Sequence, residues 1–214
     1  MKSYMFSTAL LVILASTQLG AMASPIRWEV SDGGNGHWYE GIVVGTEGIS
    51  WFDAQADAVV LGGYLACITS AEENEFVITS VADNPDLWHN PGLGPWLGGF
   101  QPEGSAEPNG EWQWVSGEPW NYTAWAPDEP NNSFRGGLAE EDYLHYMSLS
   151  GEWNDFPGDP SPPVGLPEHL VYGYIAEVVP EPGTTTLLLV LAACFGIGLL
   201  IRARRSRFKP AGWH

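Results

Sequence analysis

Glu129-Pro130-Asn131-Asn132, Glu140-Glu141-Asp142 and Trp153-Asn154-Asp155 lie within one short reach of the chain and decide how the rest is read. That reach supplies carboxylates and side-chain amides, holds no cysteine, and has a single histidine, His145. Calcium takes about six to eight oxygens from such groups, whereas zinc selects His or Cys. Pro127, Pro130, Gly136, Gly137 and the paired asparagines make the first half a loop. Behind it Tyr143-Leu144-His145-Tyr146-Met147 reads as a strand. One ligand group would then sit on a loop and another on a rigid element. A calcium site and a solvated acidic loop both fit this spacing, since no EF-hand pattern is present.

Outward from there, both ends of the chain read as targeting signals. Residues 1–23 carry Lys2, an apolar run from Met5 to Ala15, and the small-x-small Ala21-Met22-Ala23, which together predict a secretory signal peptide. At the other end Val179-Pro180-Glu181-Pro182-Gly183 leads into residues 184–201, almost wholly apolar and just long enough to span a bilayer. Arg202, Arg204, Arg205, Arg207 and Lys209 follow, so residues 202–214 read as a basic cytoplasmic tail. The order of Pro-Glu-Pro at 179–183, span and arginines resembles the PEP-CTERM sorting tail of Gram-negative bacteria. The resemblance implies an exosortase that removes the span, leaving the domain at the cell surface or in the extracellular matrix. A plain type I membrane anchor is the other reading of the same residues.

All twenty-six acidic residues fall between Glu29 and Glu181, and residues 24–183 hold only two basic ones, Arg27 and Arg135, for a formal charge of −24 and no lysine. Such a surface repels nucleic acid and anionic lipid and attracts cations, and a general solubility or salt adaptation gives the same composition. Cys67 and Cys194 are the only cysteines, and Cys194 lies in the apolar run, so the exported part has no internal disulfide. Its stability must come from packing, and ten of the eleven tryptophans are there to supply it. Cys67 reads as a small core residue.

Within the domain, His37–Val44 reads as a strand, with His37 in a structural role. A first helix is N-capped by Ser50, carries Trp51, Ala54, Ala58 and Leu61 inward, and stops at Gly62-Gly63. Tyr64–Thr69 follows as a strand, then a second helix boxed by Ser70 and Glu73 with Phe76, Val77 and Val81 inward. Asn84–Gly94 is a loop, Pro95–Phe100 a buried strand, and Glu111–Val115 an alternating strand with Trp112 and Trp114 on one face. Two helices, short antiparallel strands and long loops predict an α+β domain.

These residues resemble a C-type lectin-like domain. The likeness rests on Trp96-Leu97-Gly98, Trp112-x-Trp114, Ser116-Gly117-Glu118-Pro119, Trp125, the three opening clusters and Tyr174-Ile175-Ala176-Glu177 in that order. It places the domain at residues 24–178. It implies a C-type lectin-like fold with a long calcium-binding loop region. It also implies one calcium ion held by Glu129, Asn131, Glu141, Asn154 and Asp155, with a cis bond before Pro130. The same five residues would hold carbohydrate, two vicinal hydroxyls completing the calcium shell, and the acid-then-amide order resembles the mannose, glucose and fucose type. Three departures stand out. The family's cysteine positions hold Ala58, Tyr143 and Ala176. The auxiliary calcium site has Asn109 and Asn132 where acids are common, leaving Glu141 and Asp142. Phe156–His169 is proline-rich beside the expected sugar face.

The resulting expectation is an exported, calcium-dependent carbohydrate-binding module, with an exopolysaccharide as partner. A structural or adhesive matrix protein that binds protein instead is the second reading, because fold alone does not decide function. Catalysis is not expected, as no nucleophile elbow, zinc triad or phosphate loop is present.

Overall fold

The computed structural model describes residues 24–134, 136–137, 139–159 and 170–180. The expected signal peptide, apolar span and basic tail lie outside these residues, as does most of the proline-rich segment. Among the described residues no helix is long and apolar enough to cross a membrane.

Both predicted helices form. Helix α1 (Trp51–Val60) starts at Ser50, whose hydroxyl accepts the Asp53 N–H at 3.1 Å, a cap worth about 1 kcal/mol. Trp51, Ala54 and Ala58 are its buried stripe. Gly62, at φ +88°, ends it, with the Gly63 N–H returning to the Ala58 carbonyl. Leu61 was expected to extend the stripe, but it is the residue at which the last turn ends, and it is 40% exposed.

Helix α2 (Ala71–Ser80) is capped by Ser70, which accepts the Glu73 N–H. The other half of the expected capping box is not made. Glu73 turns inward instead, accepting the Thr69 backbone N–H at 2.7 Å and hydroxyl at 2.8 Å. Val77 and Val81 are buried as expected, while Phe76 is half-buried and stacks on Trp28.

The strands are β1 (Ile26–Arg27), β2 (Trp38–Val43), β3 (Tyr64–Leu65), β4 (Trp96–Phe100), β5 (Gln113–Trp114), β6 (Tyr143–Tyr146), β7 (Trp153–Phe156) and β8 (Gly173–Val178). They form one sheet ordered β1-β2-β8-β4-β6-β7, with β3 added on β8 and β5 on β4. The short antiparallel strands expected from the sequence thus join a single sheet, and it is mixed. β4 runs parallel to β8, a pairing no hairpin signal announces. The strand expected over Tyr64–Thr69 stops at Leu65, because the Cys67 N–H donates to the Glu177 side chain and leaves the ladder.

The core has two parts. Tyr39, Leu97, Trp112, Trp114, Tyr146, Trp153 and Ile175 belong to one, with Cys67 fully buried among them. Trp51, Ala54, Ala58, Trp96, Phe156, Tyr174 and Ala176 belong to the other. Ala58 and Ala176, at family cysteine positions, therefore share one apolar cluster, and packing stands where a disulfide would. Pairing of β2 with β8 joins the first and last parts of the domain, from Trp38↔Val178 to Val43↔Gly173. The β6–β7 hairpin forms the far edge of the sheet and carries Asn154 and Asp155.

Candidate functional site

The site is built where the loop before β6 meets the β6–β7 hairpin. Backbone bonds set the approach first: the Trp153 N–H reaches the Ala124 carbonyl, and the Ala126 N–H reaches the Trp153 carbonyl. These tie the chain entering Glu129 to β7. The Glu129–Pro130 bond is cis, as the resemblance implies. A second cis bond, Glu107–Pro108, was not anticipated.

Asp155 is fully buried, and its carboxylate holds the loop by its backbone. It accepts the Asn131 N–H at 3.0 Å and the Asn132 N–H at 2.7 Å. Charge-assisted bonds of this kind are the stronger class. Asn132, at φ +46°, then reaches outward, its amide oxygen accepting the Glu141 N–H at 2.9 Å and its amide nitrogen donating to Glu140. Glu141 in turn accepts the Ser133 N–H. Asn132 and Glu141 thereby tie the loop to the residues entering β6.

Asn154 faces His145 across the hairpin, its amide nitrogen 3.1 Å from His145 Nε2 and also donating to the Asp155 carbonyl. His145 is fully enclosed, and burial pushes its pKa down to about 4. It is therefore neutral. Its Nδ1 lies 2.7 Å from the Tyr146 carbonyl, an acceptor, so the proton belongs on Nδ1 and Nε2 accepts from Asn154. The sequence reading left His145 without a role, and here it orients an expected ligand.

Three carboxyl groups crowd this point. Glu129 is pushed up to about 8, first by burial, then by its contact with Asp155 and the charges of Asp155, Glu141 and Asp128. Glu141 is pushed up to about 7, again by burial first and then by Asp155, against the pull of the Ser133 and Phe134 N–H groups. Glu129 Oε2 is buried and has no hydrogen-bond partner. A buried carboxylate oxygen without donor or counter-charge is costly; the side chain escapes that cost by holding its proton, and a hard cation would relieve it with the group ionised. On that observation the residues fit a calcium ion. The carboxylates do not suffice alone: among the described residues no three His, Cys, Asp or Glu side chains are grouped to hold a metal. Asn131 and Asn154, the other two expected ligands, would have to supply amide oxygens.

The structure thus brings Glu129, Glu141 and Asp155 within electrostatic reach of one another, with the Asn131 backbone on Asp155 and Asn154 beside it, but with unequal tasks. The carboxylate of Asp155 is engaged by backbone N–H groups, so it shapes the loop, while Glu129 has an unengaged oxygen. Of the expected auxiliary residues, Asp142 is pushed up by burial and by Glu140 and Asp155. Asn132 is committed to the loop bonds just described. Trp120 packs 4.3 Å from Trp114 and 5.7 Å from Trp112 by ring centroids.

Sequence reasoning missed a second buried polar cluster. The Tyr39 hydroxyl donates to Glu73, and His37 Nδ1 lies 2.6 Å from Glu177 Oε1. Glu73 and Glu177 are both 1% exposed. No local pattern joins residues 140 positions apart. Asn74 was also unremarked. It accepts from the Tyr146 hydroxyl and the Trp153 indole and donates to the Gly151 carbonyl, which fixes β7 from below.

The sequence profile of the Lectin C-type domain matches residues 47–157, just over half of the chain. The chain belongs to that family. A Perlucin-like protein of Mytilus galloprovincialis is 32% identical over 111 residues, covering 51% of this chain and 63% of its own length. Asialoglycoprotein receptor 2 of Mus musculus is 28% identical over 141 residues, 64% of this chain and 39% of the receptor. The match thus spans less than two-thirds of either relative. Among solved structures, the C-type lectin CEL-I from Cucumaria echinata superposes with a TM-score of 0.50 at 20% identity, covering 67% of this chain and 90% of CEL-I. A Ca2+-dependent type II antifreeze protein in its Ca2+-free form reaches the same score at 20% identity, over 68% and 94%. At these identities the structural likenesses speak to the fold alone.

Proposed function

We propose that this chain is an exported, calcium-dependent carbohydrate-binding module whose site is Glu129, Asn131, Glu141, Asn154 and Asp155. The observation that carries the reading is the buried, unpartnered Glu129 oxygen beside Asp155 and Glu141. Membership of a lectin family supports it. When bound, calcium supplies an electrophilic centre that takes two sugar hydroxyls as ligands. The side chains do the rest. Glu129 accepts and Asn131 donates hydrogen bonds to those hydroxyls, Asp155 keeps the loop backbone in place, and His145 keeps the Asn154 amide turned. A shallow site of this kind binds one sugar weakly and gains strength from several copies. The acid-then-amide order selects mannose-, glucose- or fucose-type hydroxyls, in keeping with an exopolysaccharide partner.

Export rests on residues 1–23, and the Pro-Glu-Pro motif with 184–201 and the arginines is proposed as an exosortase-processed membrane tail. The test is a glycan array read with calcium and with chelator, using wild type and Glu129→Gln. Calcium-dependent binding to mannose-type glycans that Glu129→Gln loses is the expected result. Silence on every glycan, with calcium binding retained, would transfer the site to the adhesive matrix-protein reading.

A further inference from the structure

The two ends of the described domain meet at one pole, and that pole is apolar. A shallow groove of about 290 Å³ there is lined by Pro25, Trp38, Glu40, Leu61, Ala176 and Val178. Pro25 precedes β1, and Val178 ends β8. α1 also terminates there, so tightly that a Cβ on Gly63 would lie 2.0 Å from the Glu177 carbonyl oxygen. Around the groove Val60 is 85% exposed, Val59 57%, Val179 42%, Leu61 40% and Trp38 38%. Three consecutive exposed apolar residues at a helix end break the pattern that solubility demands, and contiguous patches of this sort mark interaction surfaces.

The length of the following chain says what covers it. Only Glu181, Pro182 and Gly183 separate Pro180 from the apolar run 184–201. Four residue steps reach at most about 14 Å. If that run spans a bilayer, this pole is held against the lipid. Its composition suits the place: a tryptophan at the rim with valines and leucine, where a membrane interface takes them. Arg27, the one basic residue among those described, also lies here, 6.0 Å over the Trp38 ring and paired with Glu29. Glu40 is part of the groove lining, and the formal charge of −24 over the exported part rules out attraction to an anionic surface.

We infer that the pole formed by Trp38, Val59, Val60, Leu61 and Val178 is a docking face for a zwitterionic phospholipid surface. It holds the uncleaved protein against the membrane. The inference rests on the reading of 184–201 as a span. Its consequence is orientation. The β1–β2 edge lies at the lipid, and the β6–β7 edge, with the carbohydrate site, is carried at the opposite side of the sheet, away from it.

The test uses the full chain without exosortase, in a Cys194→Ala background, reconstituted in phosphatidylcholine vesicles. A spin label is placed at Val60→Cys or, for comparison, at exposed Glu140→Cys. The expected result is that the protein floats with the vesicles and the Val60 label is several-fold less accessible to an aqueous nickel chelate than the Glu140 label. Flotation with equal accessibility at both positions overturns the docking face and leaves the span intact. Failure to float overturns the span and the docking face together.

Discussion

At the residue scale, Asn74 shows how a single polar side chain can hold a functional edge. Its amide satisfies the Tyr146 hydroxyl, the Trp153 indole N–H and the Gly151 carbonyl, all in the interior. Asn74→Ala leaves buried donors and an acceptor unpaired, each costing about 1–3 kcal/mol. The variant is therefore expected to lose at least about 3 kcal/mol in urea unfolding; a loss below about 1 kcal/mol would mean the network relaxes around the gap. Glu129 and Asn131 make a different prediction. Exchanging them, as Glu129→Gln with Asn131→Asp, reverses the acid-then-amide order, and the array preference should move from mannose-type to galactose-type glycans. The five expected ligands were readable only through the resemblance, which rests on the order of short motifs along the chain; residue types and spacing alone left a solvated acidic loop equally open. His145 and Asn74 were not, because a lone polar residue in an apolar strand or helix carries no sign of the partner it meets after folding.

At the element scale, the junction of β2, α2 and β8 is held by polar groups in an apolar setting. His37 and Tyr39 come from β2 and the residue before it, Glu73 from α2, and Glu177 from β8. Asn35 bridges the Tyr39 hydroxyl and Glu73. The bond to Glu177 raises the His37 pKa above 6.5, opposed by burial and helped by the charges of Glu177, Glu118 and Glu73. Burial raises Glu177, while His37 and the Cys67 N–H pull it back. A group whose folded pKa is raised gives stability that is whole below its unfolded value and lost as pH rises through the folded one. For His37 the stability is complete below about pH 6.5 and declines above it. Glu129 and Glu141, raised to about 8 and about 7, add a loss of the same sign when no cation is bound. The melting temperature in chelator should therefore fall as pH climbs past neutrality. His37→Lys keeps its charge in that range, so its fall should be shallower; parallel curves for the two proteins would remove His37 from the account. The sequence placed both helices well, because caps and glycine stops are local. It misjudged the inward turn of Glu73 and the early end of β3 because distant groups meet there: Tyr39 and Asn35 bond Glu73, and the Glu177 side chain takes the Cys67 N–H.

At the scale of the whole molecule, stability without disulfides comes from the two aromatic-rich halves of the core and from β8, which pairs with β2 and β3 and runs parallel to β4. That parallel pairing, between segments far apart in the chain, was invisible in the sequence, whereas the order of tryptophan motifs was enough to identify the family. The fold leaves excess carboxylate at one sheet edge, which the proposed function uses, and exposed apolar surface at the opposite pole, which the inferred docking face uses. A cation that binds only the folded protein stabilises it by about 2.7 kcal/mol at a hundred times its dissociation constant. The most direct measurement is thermal unfolding in calcium, in magnesium and in chelator, with wild type and Glu129→Gln compared. The account requires a calcium-specific rise in the wild-type midpoint that Glu129→Gln does not show. An identical midpoint in millimolar calcium and in chelator would contradict it.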